Sequence, residues 1–387
     1  MRQRGSYCVL HRARVVIDMK TKRLCNRILP GQIAVINHPD LDELAAAGIA
    51  EAGVQAVINR SLFLTGTYPA KGAHFLFRAG IPLYEWDDTS QCSEVTEDDA
   101  SISEGDEIAI LDHQLYVRKE GEWKAVAPLR HVTEEHINRQ QIEAERNSAA
   151  VLSQFLDNTL EYAIREKELI LQPLPKLPYA TCLANRPVVI VARGRSYKED
   201  LTMLSDYIRT TQPVLLAVDG GADALLARGL IPDLIIGDMD SVSDRALRSG
   251  AEVVVHAYPS GFAPGEARVK ELGVPYLLLP APGTSEDAAM LLAYEENAEV
   301  IVSIGTHSCM LDFLEKGRQG MASTLLVRAK LGAKLIDAKG LSSIYQQRLL
   351  ALKKQPHKQL DLLHSIYLAV KEWRWKREQC EHRDSSV

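Results

Sequence analysis

Residues 213–241 read PVLLAVDGGADALLARGLIPDLIIGDMDS. Two apolar runs, PVLLAV and DLIIG, flank a helical pattern, and each gives way at once to acid and glycine. Near-continuous hydrophobicity is what a strand buried on both faces requires, and a strand-helix-strand unit of such strands builds a parallel sheet. Asp219, trailed by Gly220 and Gly221, and then Asp238 and Asp240 therefore fall just past the carboxyl ends of two strands. Ligands of open α/β sheets sit in that position.

The same pattern repeats on both sides. PVVIVARG, AEVVVHAY, PYLLLPAPG and AEVIVSIGT are further apolar runs separated by helical patterns, so residues 176–345 are expected to form one α/β domain with a mainly parallel sheet. Upstream, residues 1–130 read as a separate α/β domain. IAVINH and VQAVIN are strands around the helix PDLDELAAAGIAEAG, with Asp40 and Asp42 at its positive end as caps. The loop RSLFLTGTYPAKGAHF, with Arg60 and Lys71, reads equally as an anion cradle or a turn. Residues 104–128 alternate as a small β-meander with turns at Gly105, Asp112-His113 and Gly121.

From Thr133 to about Leu171 there is neither glycine nor proline, which predicts one helix of about 55 Å. Leu152, Phe155, Leu156, Leu160 and Ile164 recur at spacings of three and four, predicting one buried stripe, with Asn158 and Thr159 as polar interruptions. A spacer or dimerisation helix over residues 131–175 is expected, and with it a homodimer. LQPLPKLPYA ends it. Residues 346–387 read as a polar helical tail, with Leu363, Ile366, Val370 and Trp373 on one face and Lys371, Arg374, Lys376 and Arg377 crowding its end. That face packs on its own domain or docks a membrane surface or partner.

Composition bounds the function. A chain of 387 residues with 46% apolar and 25% charged residues is a folded protein of two or three domains. Its 45 basic and 51 acidic residues give a net charge of −6, which argues against a nucleic-acid partner. Six scattered cysteines suggest neither a zinc ribbon nor a redox dithiol, and no apolar run approaches the roughly 18 residues that span a bilayer. A cytoplasmic protein is expected, meeting a membrane only through a partner or an amphipathic surface.

Asp287 in PGTSEDAAM joins the strand-end acids as a fourth carboxylate, beside Thr284 and Ser285, which can cap a helix whose amides favour a phosphate. Four carboxylates without a ring of histidines or cysteines describe a hard oxygen site, suited to Mg²⁺ shared with the phosphates of ATP or another nucleotide or diphosphate. The alternative is that each aspartate caps a turn, the reading adopted for Asp233. Arg193, Arg195 and Lys198 in RGRSYKEDL supply groups for phosphate, and Ser241 closes the GDMDS block. His256, and His307 beside Thr306, also follow strands and rank below the aspartates.

VDGGAD followed by PDLIIGDMDSV resembles the catalytic domain of thiamine pyrophosphokinase, whose equivalent DGGAN and GDxDS blocks imply Mg²⁺ and ATP held for diphosphate transfer to thiamine. INHPDLDELAA, GTYPAKG, NTLEYAIREKELIL, GDMDSVSDRAL and KGRQGMASTLLVRAKLGAKLIDAKGLSSIY extend the likeness beyond that domain. Together they resemble the SteA-type cytokinetic ring proteins, over nearly the whole chain to about residue 345. That resemblance implies a role in cell division beside a membrane-associated division protein, at the periphery of the membrane. Two kinase motifs are altered. KDxTD falls on Gly283, Thr284, Glu286 and Asp287, keeping only the last acid, and GGRxDH falls on Ser308 to Phe313, keeping Asp312. The resemblance therefore implies a bound ligand without full kinase chemistry, or else an active thiamine pyrophosphokinase with substituted groups.

Overall fold

A computed structural model of the chain describes residues 11–25, 27–86 and 102–345. The tail 346–387, with its expected amphipathic face, lies outside the described residues.

Strands β1 (His11–Ile17), β2 (Ile33–Ile36), β3 (Ala56–Asn59) and β4 (Leu83–Trp86) run parallel, joined by α1 (Thr21–Cys25), α2 (Glu43–Glu51) and α3 (Gly72–Arg78). The antiparallel strands β5 (Glu107–Leu111), β6 (Gln114–Lys119) and β7 (Glu122–His131) follow. β7 pairs with β4 and β5 with β1, so the seven strands close into a barrel in the order β1-β2-β3-β4-β7-β6-β5. The expected small meander thus supplies three of the seven strands, and β1 (HRARVVI) joins it to the parallel strands by pairing with both β2 and β5.

Period-two alternation explains the closure. Val15, Ile33, Val35 and Ile58 meet Ile108 and Leu115 in the barrel interior. Their neighbours Val16, Ala34, Ile36 and Val57 face outward onto the helices. The two hairpin turns carry positive φ at Asp112 and His113 (48° and 63°) and at Glu120 and Gly121 (54° and 90°). Two-residue turns of this hand match the right-handed twist of the strands they join.

Helix α4 (Glu134–Leu171) starts at Thr133, whose hydroxyl accepts from the His136 amide at 3.2 Å. Its buried positions are Ile137, Ala144, Phe155, Thr159 and Ile170. The predicted stripe is therefore corrected. Of its members only Phe155 is fully buried, while Leu156, Leu160 and Ile164 stand 47%, 50% and 71% exposed. Steps of four drift about 40° per step around a helix of 3.6 residues per turn, so they leave a straight contact line. The contact line runs through Thr159.

The second sheet comprises β8 (Pro187–Val191), β9 (Val214–Val218), β10 (Leu234–Gly237), β11 (Glu252–Ala257), β12 (Tyr276–Pro280), β13 (Val300–Ile304) and β14 (Leu335–Asp337). Between them lie α5 (Tyr197–Met203), α6 (Ser205–Thr211), α7 (Gly221–Leu226), α8 (Asp244–Leu247), α9 (Glu266–Glu271), α10 (Ser285–Glu295), α11 (Met310–Leu314) and α12 (Ala322–Leu331). Every pairing is parallel, in the order β12-β11-β10-β9-β8-β13-β14. Val188 and Ile190 pack into one core and Val189 and Val191 into the other, as strands covered on both faces must. The chain reverses its direction of travel across the sheet between β8 and β13, the switch point at which such sheets open a crevice.

Helix α4 also ties to this second unit. The Asn158 amide donates to the Gln319 carbonyl at 3.1 Å, and the Met321 amide donates to the Thr159 hydroxyl at 3.2 Å. Further along the boundary, Arg195 pairs with Glu43 at 3.3 Å and Lys198 with Glu51 at 2.8 Å. Among the described residues no helix is long and apolar enough to cross a membrane.

Candidate functional site

Asp219 leaves β9 with φ of +48°, an uncommon conformation for a residue with a side chain. Its carboxylate lies over the end of β10 and accepts from the Met239 amide at 3.2 Å. The fit depends on Gly237, where an ideal Cβ would stand 1.9 Å from Asp219 Oδ1. Met239 is itself at φ of +63° with its side chain buried, flanked by Asp238 and Asp240, which are each only partly open to solvent. The Asp240 amide donates to Asp238 Oδ1 at 3.2 Å. Two left-handed non-glycine residues in adjoining loops are strain of the kind that collects at functional sites.

The carboxylates load one another electrically. Burial, reinforced by the charge of Asp238, pushes Asp219 up to about 7. Asp238 is raised by burial and by the neighbouring Asp240. Asp240 stays below the ordinary range: burial works against it, but the Lys22 ammonium prevails. Lys22 comes from α1 of the barrel and stands 3.3 Å from Asp240 Oδ1.

Around these acids is a cleft of ≈ 300 Å³ whose walls include Lys22, His256, Ser285, Glu286, His307 and Lys316. His256 faces the Ala281 carbonyl through Nε2 at 3.0 Å and the Ser285 hydroxyl through Nδ1 at 3.2 Å. Only a protonated nitrogen can meet a carbonyl, so Nε2 carries the hydrogen and Nδ1 accepts. Burial, which lowers its pKa, keeps this ring neutral. His307 is oriented by Glu286, which accepts from its amide at 2.7 Å and from Nδ1 at 2.6 Å. Burial works against ionising Glu286, and the His307 hydrogen bond overcomes it. Lys316 lies 3.0 Å from His307 Nδ1 and 4.0 Å from Glu286, its pKa lowered by burial.

A second crevice of ≈ 890 Å³ opens beside the cleft, bounded by both the barrel and the sheet. Arg193 reaches into it, donating to the Ser241 carbonyl at 3.2 Å. Its guanidinium lies over Gly220, where an ideal Cβ would stand 2.1 Å from Cζ. Gly221 serves packing instead, with space for a Cβ closed by the Val191 carbonyl at 1.9 Å.

Several sequence candidates lie elsewhere. Asp287 forms a capping box with Thr284, and its Oδ2 accepts from Ser323 at 2.8 Å and Thr324 at 3.0 Å. It is fully buried against α12, apart from the other three acids, and burial raises its pKa. Thr306 is buried and meets Arg328 at 3.0 Å. Lys198 borders the larger crevice with its ammonium on Glu51. Asp312 accepts from the Ser308 and Cys309 amides and pairs with Lys339. Asp233 accepts from the Leu215 amide at 2.7 Å, a structural use. Asp40, between β2 and α2, grips the amide and hydroxyl of Thr65 in the loop after β3, where Arg60 stacks on Trp86 at 5.0 Å. Sequence reasoning missed Lys22, Glu286 and Lys316. Glu286 lay within the altered motif, Lys22 follows a strand that was not read from the sequence, and Lys316 follows a helix, so neither lysine carried a local signal.

The donor chemistry of Asp219, Asp238 and Asp240 suits a hard divalent cation, since all three offer carboxylate oxygen and their mutual repulsion favours one. Their spacing is not yet that of a bound ion. Among the described residues no group of three or more His, Cys, Asp or Glu is drawn together closely enough to hold a metal.

No family model and no curated protein matches the chain. Among solved structures it is similar to a thiamine pyrophosphokinase from Bacillus subtilis, at 22% identity and a TM-score of 0.25 over 39% of this chain. The match spans 60% of that enzyme. It is also similar to a 3-isopropylmalate dehydratase from Methanocaldococcus jannaschii, at 11% identity and a TM-score of 0.21 over 38% of this chain and 98% of that one. The chain is a weak structural neighbour of the first, and likenesses of this size bear on neither ligand nor activity.

Proposed function

We propose that this protein binds a nucleotide or other diphosphate ligand together with Mg²⁺ at the ends of β9 and β10, as a division-associated protein without full diphosphotransferase activity. The observation that carries the ligand reading is Asp219, pushed up to about 7 by burial and by Asp238, beside Asp240, which Lys22 holds below the ordinary range. Such crowding is costly unless a cation is shared. In this reading Asp219, Asp238 and Asp240 hold the ion, which would neutralise phosphate oxygens, while Arg193, Ser285 and Lys316 orient the ligand. The altered motifs support binding without transfer, because diphosphate transfer needs positive charge on a developing anionic transition state.

The division role and a membrane-associated division partner rest on the motif resemblance. Self-association is supported by the exposed Leu156, Leu160 and Ile164 on α4. Calorimetry of the full chain with Mg²⁺ and a panel of nucleotides and diphosphates tests the ligand reading. One ligand is expected to bind, and Asp238→Ala to lose it; no binding, or equal binding by the variant, would contradict the site.

A second reading is an active thiamine pyrophosphokinase. Lys22 and Lys316 favour it, since both put ammonium groups into the cleft where the kinase motif has lost its lysine. It requires thiamine-dependent release of AMP from ATP, and no turnover at saturating thiamine, ATP and Mg²⁺ would dismiss it.

A further inference from the structure

The cleft at the strand ends and the larger crevice are continuous in composition: Lys22, Asp219, Glu286, His307 and Lys316 border both. The walls of the crevice differ in chemistry. On the sheet side the polar groups of Arg193, Asp219, Ser241 and Lys316 stand beside Ala192, Tyr197 and Val218. On the barrel side, α2 and its C-cap Ala52 border it through Leu44, Ala45, Ala47, Gly48, Glu51 and Ala52, spacings of three and four that define one helix face. Cys25, Ile28 and Pro30 extend an apolar patch there, edged by Lys22, Asn37, His38 and Asp42. Leu44 is 43% exposed on that wall.

A separate observation concerns Ser241. Ser241 is only 8% exposed and borders the crevice, yet among the described residues its hydroxyl has no hydrogen-bond partner. A buried hydroxyl left unpaired costs free energy that a ligand oxygen would recover.

We propose that the barrel completes the ligand site. Phosphates lie at the carboxylates and the Ser241 hydroxyl, the apolar or aromatic body of a nucleoside diphosphate lies on the α2 face, and Lys22 passes from Asp240 to a phosphate oxygen when the ligand enters. The proposal rests on the ligand reading above and adds to it the division of the site between two units. An ammonium that is 3.3 Å from Asp240 without ligand competes with a divalent cation for the same carboxylate and then assists the phosphate the cation brings. Lys22 is therefore a residue whose removal acts with opposite sign on the two.

The test is calorimetry on the full chain with three probes: Mg²⁺ alone, Mg²⁺-pyrophosphate and Mg²⁺-ADP. Lys22→Gln is expected to bind Mg²⁺ alone at least as tightly as wild type and Mg²⁺-pyrophosphate roughly tenfold more weakly, the loss of about one charge-assisted hydrogen bond. Ala47→Trp, which fills the crevice from the α2 face, is expected to weaken ADP about tenfold while leaving pyrophosphate within about twofold. Leu44→Asn, at an exposed position that leaves the core intact, should act in the same direction more weakly. If Lys22→Gln shifts both magnesium probes alike, Lys22 is only a latch between the units and the inference fails. If Ala47→Trp and Leu44→Asn leave ADP unchanged, or if the preference for ADP over pyrophosphate is removed only by Tyr258→Ala, at the exposed Tyr258 that lines the strand-end cleft away from the barrel wall, the body lies outside the barrel wall and the inference also fails. In both cases Asp238-dependent binding survives, whereas absence of binding by wild type overturns the ligand reading itself and this inference with it.

Discussion

Gly237 leaves space for Asp219: a Cβ at residue 237 would stand 1.9 Å from the Asp219 carboxylate oxygen. The glycine in GDMDS is therefore a condition for the acid contributed by the preceding strand, across 18 residues of chain. Gly237→Ala should displace that carboxylate and weaken Mg²⁺-dependent ligand binding by at least about tenfold. Stability should fall by only about 1–3 kcal/mol, the usual cost of one extra methyl in a packed site. Calorimetry paired with denaturant unfolding separates the two effects.

Asp219 makes the ligand-free protein sensitive to pH in an unusual direction. Its folded pKa of about 7 lies above the ordinary carboxylate value, because burial and then Asp238 oppose its charge. A group that holds its proton more tightly when folded favours the fold at low pH, and this contribution declines as pH rises from about 4 through about 7. Thermal midpoints with chelator should therefore be higher for wild type relative to Asp219→Asn at pH 6 than at pH 8. Mg²⁺ should stabilise wild type more at pH 8, where no proton has to be displaced. A difference that stays flat between those pH values would show that Asp219 is an ordinary carboxylate.

Thr159 anchors the second unit to α4 by accepting from the Met321 amide while donating to the Phe155 carbonyl at 2.7 Å. Thr159→Val keeps the shape and removes the acceptor. Leaving a buried amide unpaired should cost about 1–3 kcal/mol. Urea unfolding followed by fluorescence would record this as a lower midpoint, and an unchanged midpoint would show that the loop at 319–321 is held by other contacts.

Leu156, Leu160 and Ile164 turn an apolar line to solvent along α4, with Leu171 beyond them at 63% exposure. A second copy of the chain can cover a line of this kind through the same residues, as isologous dimers do. Leu160→Glu with Ile164→Glu should convert the protein to a monomer in sedimentation. A wild-type protein that already sediments as a monomer would contradict self-association through this face.

Much of the fold was legible in the sequence because buried parallel strands leave long apolar runs. Six of the seven strands of the second sheet announced themselves in this way, and β14 did not, being three residues at an edge with two exposed side chains. The helix from Thr133 was plain from its composition, while its buried face was not. Exposure of Leu160 and burial of Thr159 are settled by what α12 and the 319–321 loop press against, and no local pattern records that. The barrel was hidden for a related reason: closure depends on β1 pairing with β5 some 90 residues later, and alternation within each strand says nothing about its partner. In the site, strand-end position picked out Asp219, Asp238 and Asp240. It also picked out Asp287, whose carboxylate is used for a cap, and it gave no sign of Lys22, which arrives from the other unit.

The central claim is that the three acids at the ends of β9 and β10 hold a phosphorylated ligand through a divalent cation. Titration of ADP into the full chain, in Mg²⁺ and again in chelator, tests it most directly when repeated on Asp238→Ala. The account predicts saturable one-site binding in Mg²⁺ that disappears with chelator and in the variant. Binding that is indifferent to both Mg²⁺ and Asp238 would contradict it.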